Sequence, residues 1–311
     1  MHNHEHGHSH SHAGHHHHHV QPGDVVNGAF IAGIVLNAVY VVIQAVAGLL
    51  THSMALLSDA GHNLSDVASL ALSLIAFRLA KMKPTQSFTY GYKKTTILAA
   101  LTNAVFLLIT IGILGYESIQ RLFHPVQIEG GVVAVVAGIG IVINLASAFL
   151  FFRNKEHDLN TKGAYLHLLT DAMVSAGVVV GGIIIRYTNW FWLDGAISVI
   201  ILVVILIGTW SLLTASLRMS VDAVPVDVEP ETIEQIIMKI KGVESIHHMH
   251  IWSMSTTENA LTTHLVLNEQ LGFDEKMKLV HNIKHELLHN NIHHATIELE
   301  SATLPCDDVD C

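Results

Sequence analysis

The sequence predicts a polytopic membrane protein of all-α class, with six transmembrane helices followed by a small cytoplasmic α+β domain. Three observations carry that prediction. Half of the 311 residues are hydrophobic and only 14% are charged, and the mean hydropathy is +0.44, a balance foreign to ordinary soluble globules. The apolar residues are also grouped: Ile31 to Leu50 and Val132 to Phe152 contain no Asp, Glu, Lys or Arg. Each run is roughly 20 residues, the length a helix needs to cross a hydrocarbon core of about 30 Å. Finally, no comparable run follows residue 217.

Six spans result, at about 29–50, 54–79, 95–116, 131–152, 163–186 and 195–217. An even number puts both termini on one side. Arg78, Lys81, Lys83, Lys93, Lys94, Arg153, Lys155, Lys162 and Arg218 fall on that side, against Arg121 and Arg186 on the other. The positive-inside rule makes the crowded side the cytoplasm. The long N-terminal tail and the short connection between spans four and five point to a bacterial inner membrane. No Lys- or Arg-led leader with a cleavage site precedes the first span, so the chain is expected to stay in the membrane its helices select.

Four regions follow from these boundaries: a tail at 1–24, a transmembrane domain at 25–221, a cytoplasmic domain at 222–303 and a Cys-containing end at 304–311. The first 19 residues hold 11 of the 25 histidines in a polar, Gly-containing setting that cannot bury a core. This reads as a disordered tail that gathers metal or regulates its uptake. Residues 222–311 carry 16 Asp and Glu against 5 Lys, so no basic nucleic-acid surface exists and cations are the natural partners. Cys306 and Cys311 are the only cysteines, and on a reducing side a pair so close together suits metal better than a disulfide.

Within the cytoplasmic domain, Ile233, Ile236, Ile237 and Ile240 recur at helical spacing behind Pro230, where a missing N–H costs least. Val243 to Met254 and Ala260 to Leu267 alternate apolar residues with His, Ser or Thr, and the polar Ser255 to Asn259 between them reads as a hairpin. A helix from Phe273 to His289 and a strand from His294 to Glu300 complete the order helix, strand, strand, helix, strand. A unit this small and acidic is expected to rely on pairing with a second copy.

The chemistry sits inside the spans. Span two reads Ser58-Asp-Ala-Gly-His62-Asn-Leu-Ser-Asp66 and span five reads His167-Leu-Leu-Thr-Asp171. A spacing of four places each imidazole and carboxylate on one helix face, one turn apart. Two such helices face to face form a four-ligand N2O2 cage from His62, Asp66, His167 and Asp171. An ionisable residue at mid-span costs at least about 2.5–3.5 kcal/mol and marks function by default. One pair could be an internal hydrogen bond between helices; two copies of one pattern argue for a shared ion. Tetrahedral N and O donors favour Zn2+, with Co2+ and Cd2+ as companions, whereas Mg2+ and Ca2+ want more oxygens and Cu+ wants sulfur. Loading requires neutral His and ionised Asp, so metal and protons compete for the site and exchange follows.

Asp59, one turn before His62, is either a helper to proton or metal entry or a solvated acidic residue near the span end. Asn37, Gln44, Asn103 and Asn144 suit interhelical hydrogen bonds better than ligation. Among the cytoplasmic His247, His248, His250, His264, His281, His285, His289, His293 and His294, some face solvent. Others, with Glu300, Cys306 and Cys311 nearby, are expected to bind metal. A membrane-anchored zinc sensor or buffer is the alternative reading, but an anchor needs no mid-membrane ligand pairs. A metalloenzyme would need a catalytic base beside an open zinc position; there is no His-Glu-x-x-His motif and a four-ligand cage leaves no place for activated water.

The paired His-x-x-x-Asp motifs, Phe88-Thr-Tyr-Gly-Tyr-Lys-Lys94 entering span three, Trp192-Leu-Asp194 leading into span six, and Ile246-His-His-Met-His-Ile-Trp252 together resemble the cation diffusion facilitator family, cobalt-zinc-cadmium efflux type. The likeness runs from 25 to 301. It implies a homodimeric metal/proton antiporter that exports zinc from the cytoplasm, with a ferredoxin-like, metallochaperone-like C-terminal domain. The family's transport site falls on His62, Asp66, His167 and Asp171, where a His in the first position goes with zinc preference and an Asp with looser selection that admits Cd2+. Lys94 and Asp222 match a pair that holds the dimer together in relatives. Cytoplasmic metal sites, where zinc acts as a regulatory ligand, fall on His247, His264 and Glu300 for one ion and on His293, Cys306 and Cys311 for another. This chain departs from the pattern in a four-residue gap between its cysteines, where relatives have Cys-x-x-Cys, and in a His294 that competes with His293. The loop before span three offers no His or Asp to match a further site that some relatives carry there.

Overall fold

The computed structural model describes residues 28–152, 159–268 and 270–301; side chains of 28–34, 70, 150–152 and 159–167 lie outside that description. The tail at 1–24, Arg153, Lys155, Cys306 and Cys311 therefore fall outside the described residues.

Six long helices come first: α1 (Gly28–Thr51), α2 (Met54–Ala80), α3 (Thr95–Phe123), α4 (Gly130–Phe152), α5 (Leu159–Thr188) and α6 (Trp192–Ser220). Among the described residues five are long and apolar enough to cross a membrane, and α1 adds the shorter apolar stretch Val35–Thr51. Large aliphatic and aromatic side chains such as Val42, Phe106, Val142, Val180 and Ile207 stand more than half exposed along them. Lipid tails cover such a surface, whereas water would not tolerate it.

The described residues divide into two compact units, 28–63 with 114–208 and 64–113 with 209–301. In the first, α4 and α5 pack along most of their length because small residues let the backbones touch. A Cβ placed on Gly182 would lie 2.7 Å from the Gly130 carbonyl oxygen and 2.8 Å from the Ala134 nitrogen. This is the small-residue seam expected where lipid gives no hydrophobic drive between helices. Val133, Val136, Ala137, Val178, Ile185 and Ile201 fill the space beside it, with Ala55 and Leu56 at the start of α2. α1 joins through Tyr40, whose hydroxyl donates to the Val136 carbonyl at 3.4 Å.

The second unit contains the C-terminal domain: α7 (Pro230–Met238), β1 (Val243–Ser253), β2 (Asn259–Leu267), α8 (Phe273–His289) and β3 (Ile292–Glu300). The strands lie in the order β1-β2-β3. β1 and β2 are antiparallel, while β2 and β3 are parallel through the α8 crossover. Leu261, Leu265 and Leu267 of the central strand, separated by even numbers of residues, point into a core shared with Ile233, Ile237, Ile283 and Leu287 of the two helices. Period-2 alternation then turns Thr262, His264 and Val266 to the opposite face.

Candidate metal centres

The placement of the intramembrane site begins at the first turn of α2. His52, with φ of 55°, turns the chain between α1 and α2. Ser53 then caps the helix, accepting from the Leu56 amide at 3.3 Å. Asp194, in the first turn of α6, accepts from the Ser53 hydroxyl at 2.5 Å, from the Met54 amide at 2.5 Å and from the Ala55 amide at 3.3 Å. A carboxylate here satisfies amides that the helix leaves unpaired and complements the positive end of its dipole. The sequence singled out Asp194 only as part of a family motif; its capping role needs α6 and α2 brought together, which no local pattern announces.

His62 lies a little over two turns into α2. Its Nε2 is 3.4 Å from Oδ1 of Asp171 on α5, and Asp171 is 3% exposed. The helix carries Asp66 one turn beyond His62 on the same face. His62 and Asp171 thus bring a ring nitrogen and a carboxylate from two helices to one place. His167 precedes Asp171 by one turn of α5, and its side chain lies outside the described residues.

Asp59 is fully buried, which excludes the solvated reading. Its Oδ2 accepts from Gln44 Nε2 of α1 at 2.5 Å and from the Ser175 hydroxyl of α5 at 3.3 Å. Gln44 Oε1 in turn accepts from Asn63 Nδ2 at 3.3 Å. Gln44 thus makes the interhelical bonds expected of an in-span amide. Ser175 lies one turn past Asp171, so α5 carries a stripe of polar residues at a spacing of four. The Ser58 and Ser198 hydroxyls meet at 2.5 Å, and Ser118 and Ser198 meet at 2.5 Å, so α2, α3 and α6 are also joined by buried polar contacts.

In the C-terminal domain, His247 and His264 are direct cross-strand partners. Glu300 reaches both: its Oε2 is 3.0 Å from His247 Nε2 and its Oε1 is 2.6 Å from His264 Nδ1. These three form a second candidate cluster, their ligand atoms within 4.8 Å of one another. Glu298 stands 3.6 Å from His264 Nε2 on the exposed flank. His293 is exposed and its Nδ1 accepts from the Asn259 amide at 3.3 Å; its proposed partners Cys306 and Cys311 are outside the described residues.

The start of α3 contacts the C-terminal domain. Lys93 Nζ lies 2.5 Å from Glu258, the Thr256 amide donates to Thr96 Oγ1 at 3.0 Å, and Lys94 pairs with Asp222 at 2.6 Å. The last of these, matched to a dimer-holding pair in relatives, forms here within one chain.

Comparison with known proteins follows the same division of the chain. The cation efflux transmembrane domain matches residues 30–219. The chain belongs to the cation efflux family. The cytoplasmic domain of cation efflux proteins matches residues 225–302. Curated relatives include the cadmium, cobalt and zinc/H(+)-K(+) antiporter of Bacillus velezensis, 37% identical over 265 residues, 85% of each chain. The metal cation efflux system protein CzcD of Cupriavidus metallidurans is 39% identical over 277 residues, 88% of this chain and 86% of its own. The zinc transporter ZitB of Escherichia coli is 32% identical over 279 residues, 89% of this chain and 87% of its own. As a cation efflux protein the chain is a multi-pass membrane transporter of metal cations and not an enzyme.

Proposed function

We propose that this cation efflux protein exports Zn2+ from the cytoplasm in exchange for protons, through alternating access to a site formed by His62, Asp66, His167 and Asp171. The observation that carries the reading is the approach of His62 on α2 to Asp171 on α5, two helices apolar enough to cross a membrane, with Asp66 one turn beyond His62 on its own helix. Two imidazoles and two carboxylates give the tetrahedral N and O set that suits zinc, with Co2+ and Cd2+ admitted by the same geometry. The names of the relatives, which include zinc, cobalt and cadmium antiporters, support the same range. Antiport follows from acid–base chemistry: zinc binds neutral imidazole and ionised carboxylate, so protons entering from the acidic side displace the metal. The basic residues Arg78, Lys81, Lys93, Lys94 and Arg218 support cytoplasmic termini in a bacterial inner membrane.

The cytoplasmic cluster of His247, His264 and Glu300 is read as a regulatory zinc site, and two copies of the chain as the working unit. In everted vesicles energised to make the lumen acid, zinc uptake should proceed and should stop when the gradient is collapsed. Asp66→Ala should abolish uptake without loss of the folded protein. Undiminished uptake by that variant would refute the site, and uptake indifferent to the gradient would refute proton coupling. A membrane-anchored sensor would bind zinc and transport none.

A further inference from the structure

We infer that His248 is a ligand of the C-terminal-domain zinc site, completing a tetrahedral set of three imidazoles and one carboxylate with His247, His264 and Glu300. The inference rests on the reading of His247, His264 and Glu300 as a metal site and extends it by one residue.

The backbone supplies the first argument. In a regular strand, consecutive residues point to opposite faces, so His247 and His248 should be separated by the sheet. The β1–β2 register breaks between His247 and His250: the pairs on either side are His247 with His264 and His250 with Thr262, so two residues of β1 oppose Thr263 alone. This is a β-bulge, the device that re-aims a side chain. Its effect shows in the core, where Ile246 and Met249 pack on the helices and Ile251 is buried among them. Inward positions are thus three apart and then two apart, and the extra residue facing outward is His248.

The conformation required is not free. His248 has φ of 49°, in the left-handed region that Gly occupies at no steric cost and a residue with a Cβ occupies at a cost of order 1–2 kcal/mol. Strain of this kind gathers at binding sites.

Ring geometry supplies the second argument. His248 lies 5.1 Å from His247 and 5.0 Å from His264, centroid to centroid, and His247 lies 5.4 Å from His264. Imidazoles bound to one tetrahedral zinc at about 2.0–2.1 Å place their ring centres about 5 Å apart. The three rings therefore already have the mutual spacing of a zinc-bound trio. As placed, the ligand atoms within 4.8 Å of one another are those of His247, His264 and Glu300; ligation by His248 requires its ring to turn about χ2, which re-aims its nitrogens and leaves its centre in place.

The test uses the full-length chain in detergent, titrated with Zn2+ against a chromophoric chelator and with Co2+ followed by its visible absorption, in a background where Asp171→Asn weakens the proposed transport site. His248→Asn, which tolerates the left-handed backbone, should weaken zinc at the domain site by at least the roughly 10–100-fold that outer-shell partners already command. It should also alter the tetrahedral Co2+ spectrum. His248→Gly should do the same while leaving the metal-free protein at least as heat-stable as the parent, because glycine relieves the strain. His264→Ala should remove the site outright. Parental affinity and spectrum in His248→Asn, with binding lost in His264→Ala, overturn the inference and leave the site standing. Parental binding in both variants overturns the site itself and the inference with it.

Discussion

Asp171→Asn should move two measurements in opposite directions. Asp171 is 3% exposed, with His62 Nε2 3.4 Å from its carboxylate, and asparagine keeps its shape and an acceptor oxygen while removing the charge. A four-ligand zinc site is worth about 10–16 kcal/mol in apparent free energy, so one ligand's share is about 2.5–4 kcal/mol. That corresponds to a zinc affinity lower by about 10²–10³-fold. In the metal-free protein the sign reverses. A carboxylate within a span costs about 2.5–3.5 kcal/mol, part of which survives contact with a neutral imidazole, so removing it should stabilise the empty protein by on the order of 1–2 kcal/mol. The assays are a chelator-competition zinc titration and thermal unfolding of metal-free protein in the same detergent. Unchanged affinity would refute Asp171 as a ligand. A melting temperature several degrees lower would show instead that the carboxylate holds the helices together.

Three further outcomes follow from packing and capping. Asp194→Ala strands the Ser53 hydroxyl and the Met54 and Ala55 amides; at about 1–3 kcal/mol for each buried donor, offset by loss of a buried charge, the net destabilisation should be about 2–4 kcal/mol by thermal unfolding. Gly182→Ala drives a Cβ into the Gly130 carbonyl and the Ala134 amide and should cost about 1–3 kcal/mol. Gly177→Ala, on the same helix with nothing within 4 Å of the added Cβ, should be neutral or stabilising by about 0.5–1 kcal/mol in the same melt. Leu261→Ala empties the middle of the C-terminal core, where Leu261 is fully buried, and should lower that domain's stability by about 2–5 kcal/mol in a chemical denaturation series.

Much of the proposed transport site is readable from sequence because its information is local. His62 with Asp66, and His167 with Asp171, each declare a shared face through a spacing of four, and the apolar runs around them declare the membrane. Asp59 was not legible: its partners, Gln44 and Ser175, come from two other helices, and a position near a span end reads the same whether it meets water or protein. Asp194 was hidden for the same reason, since the amides it caps lie some 140 residues earlier. The C-terminal elements emerged close to their predicted limits, β1 at Val243–Ser253 and α8 at Phe273–His289. The alternation read across Val243 to Met254 nevertheless passed over a bulge. Its signal was present as the three-residue step from Ile246 to Met249, which a strict period of two cannot accommodate.

β1 forms one border of the sheet, and its register breaks twice, at Val243/Ser245 and at His247/His250. An uninterrupted border would offer evenly spaced amides and carbonyls to any extended segment, the usual opening for runaway strand-by-strand growth. Here that template is broken within a few residues, so the β1 edge offers an incoming strand no continuous ladder to extend.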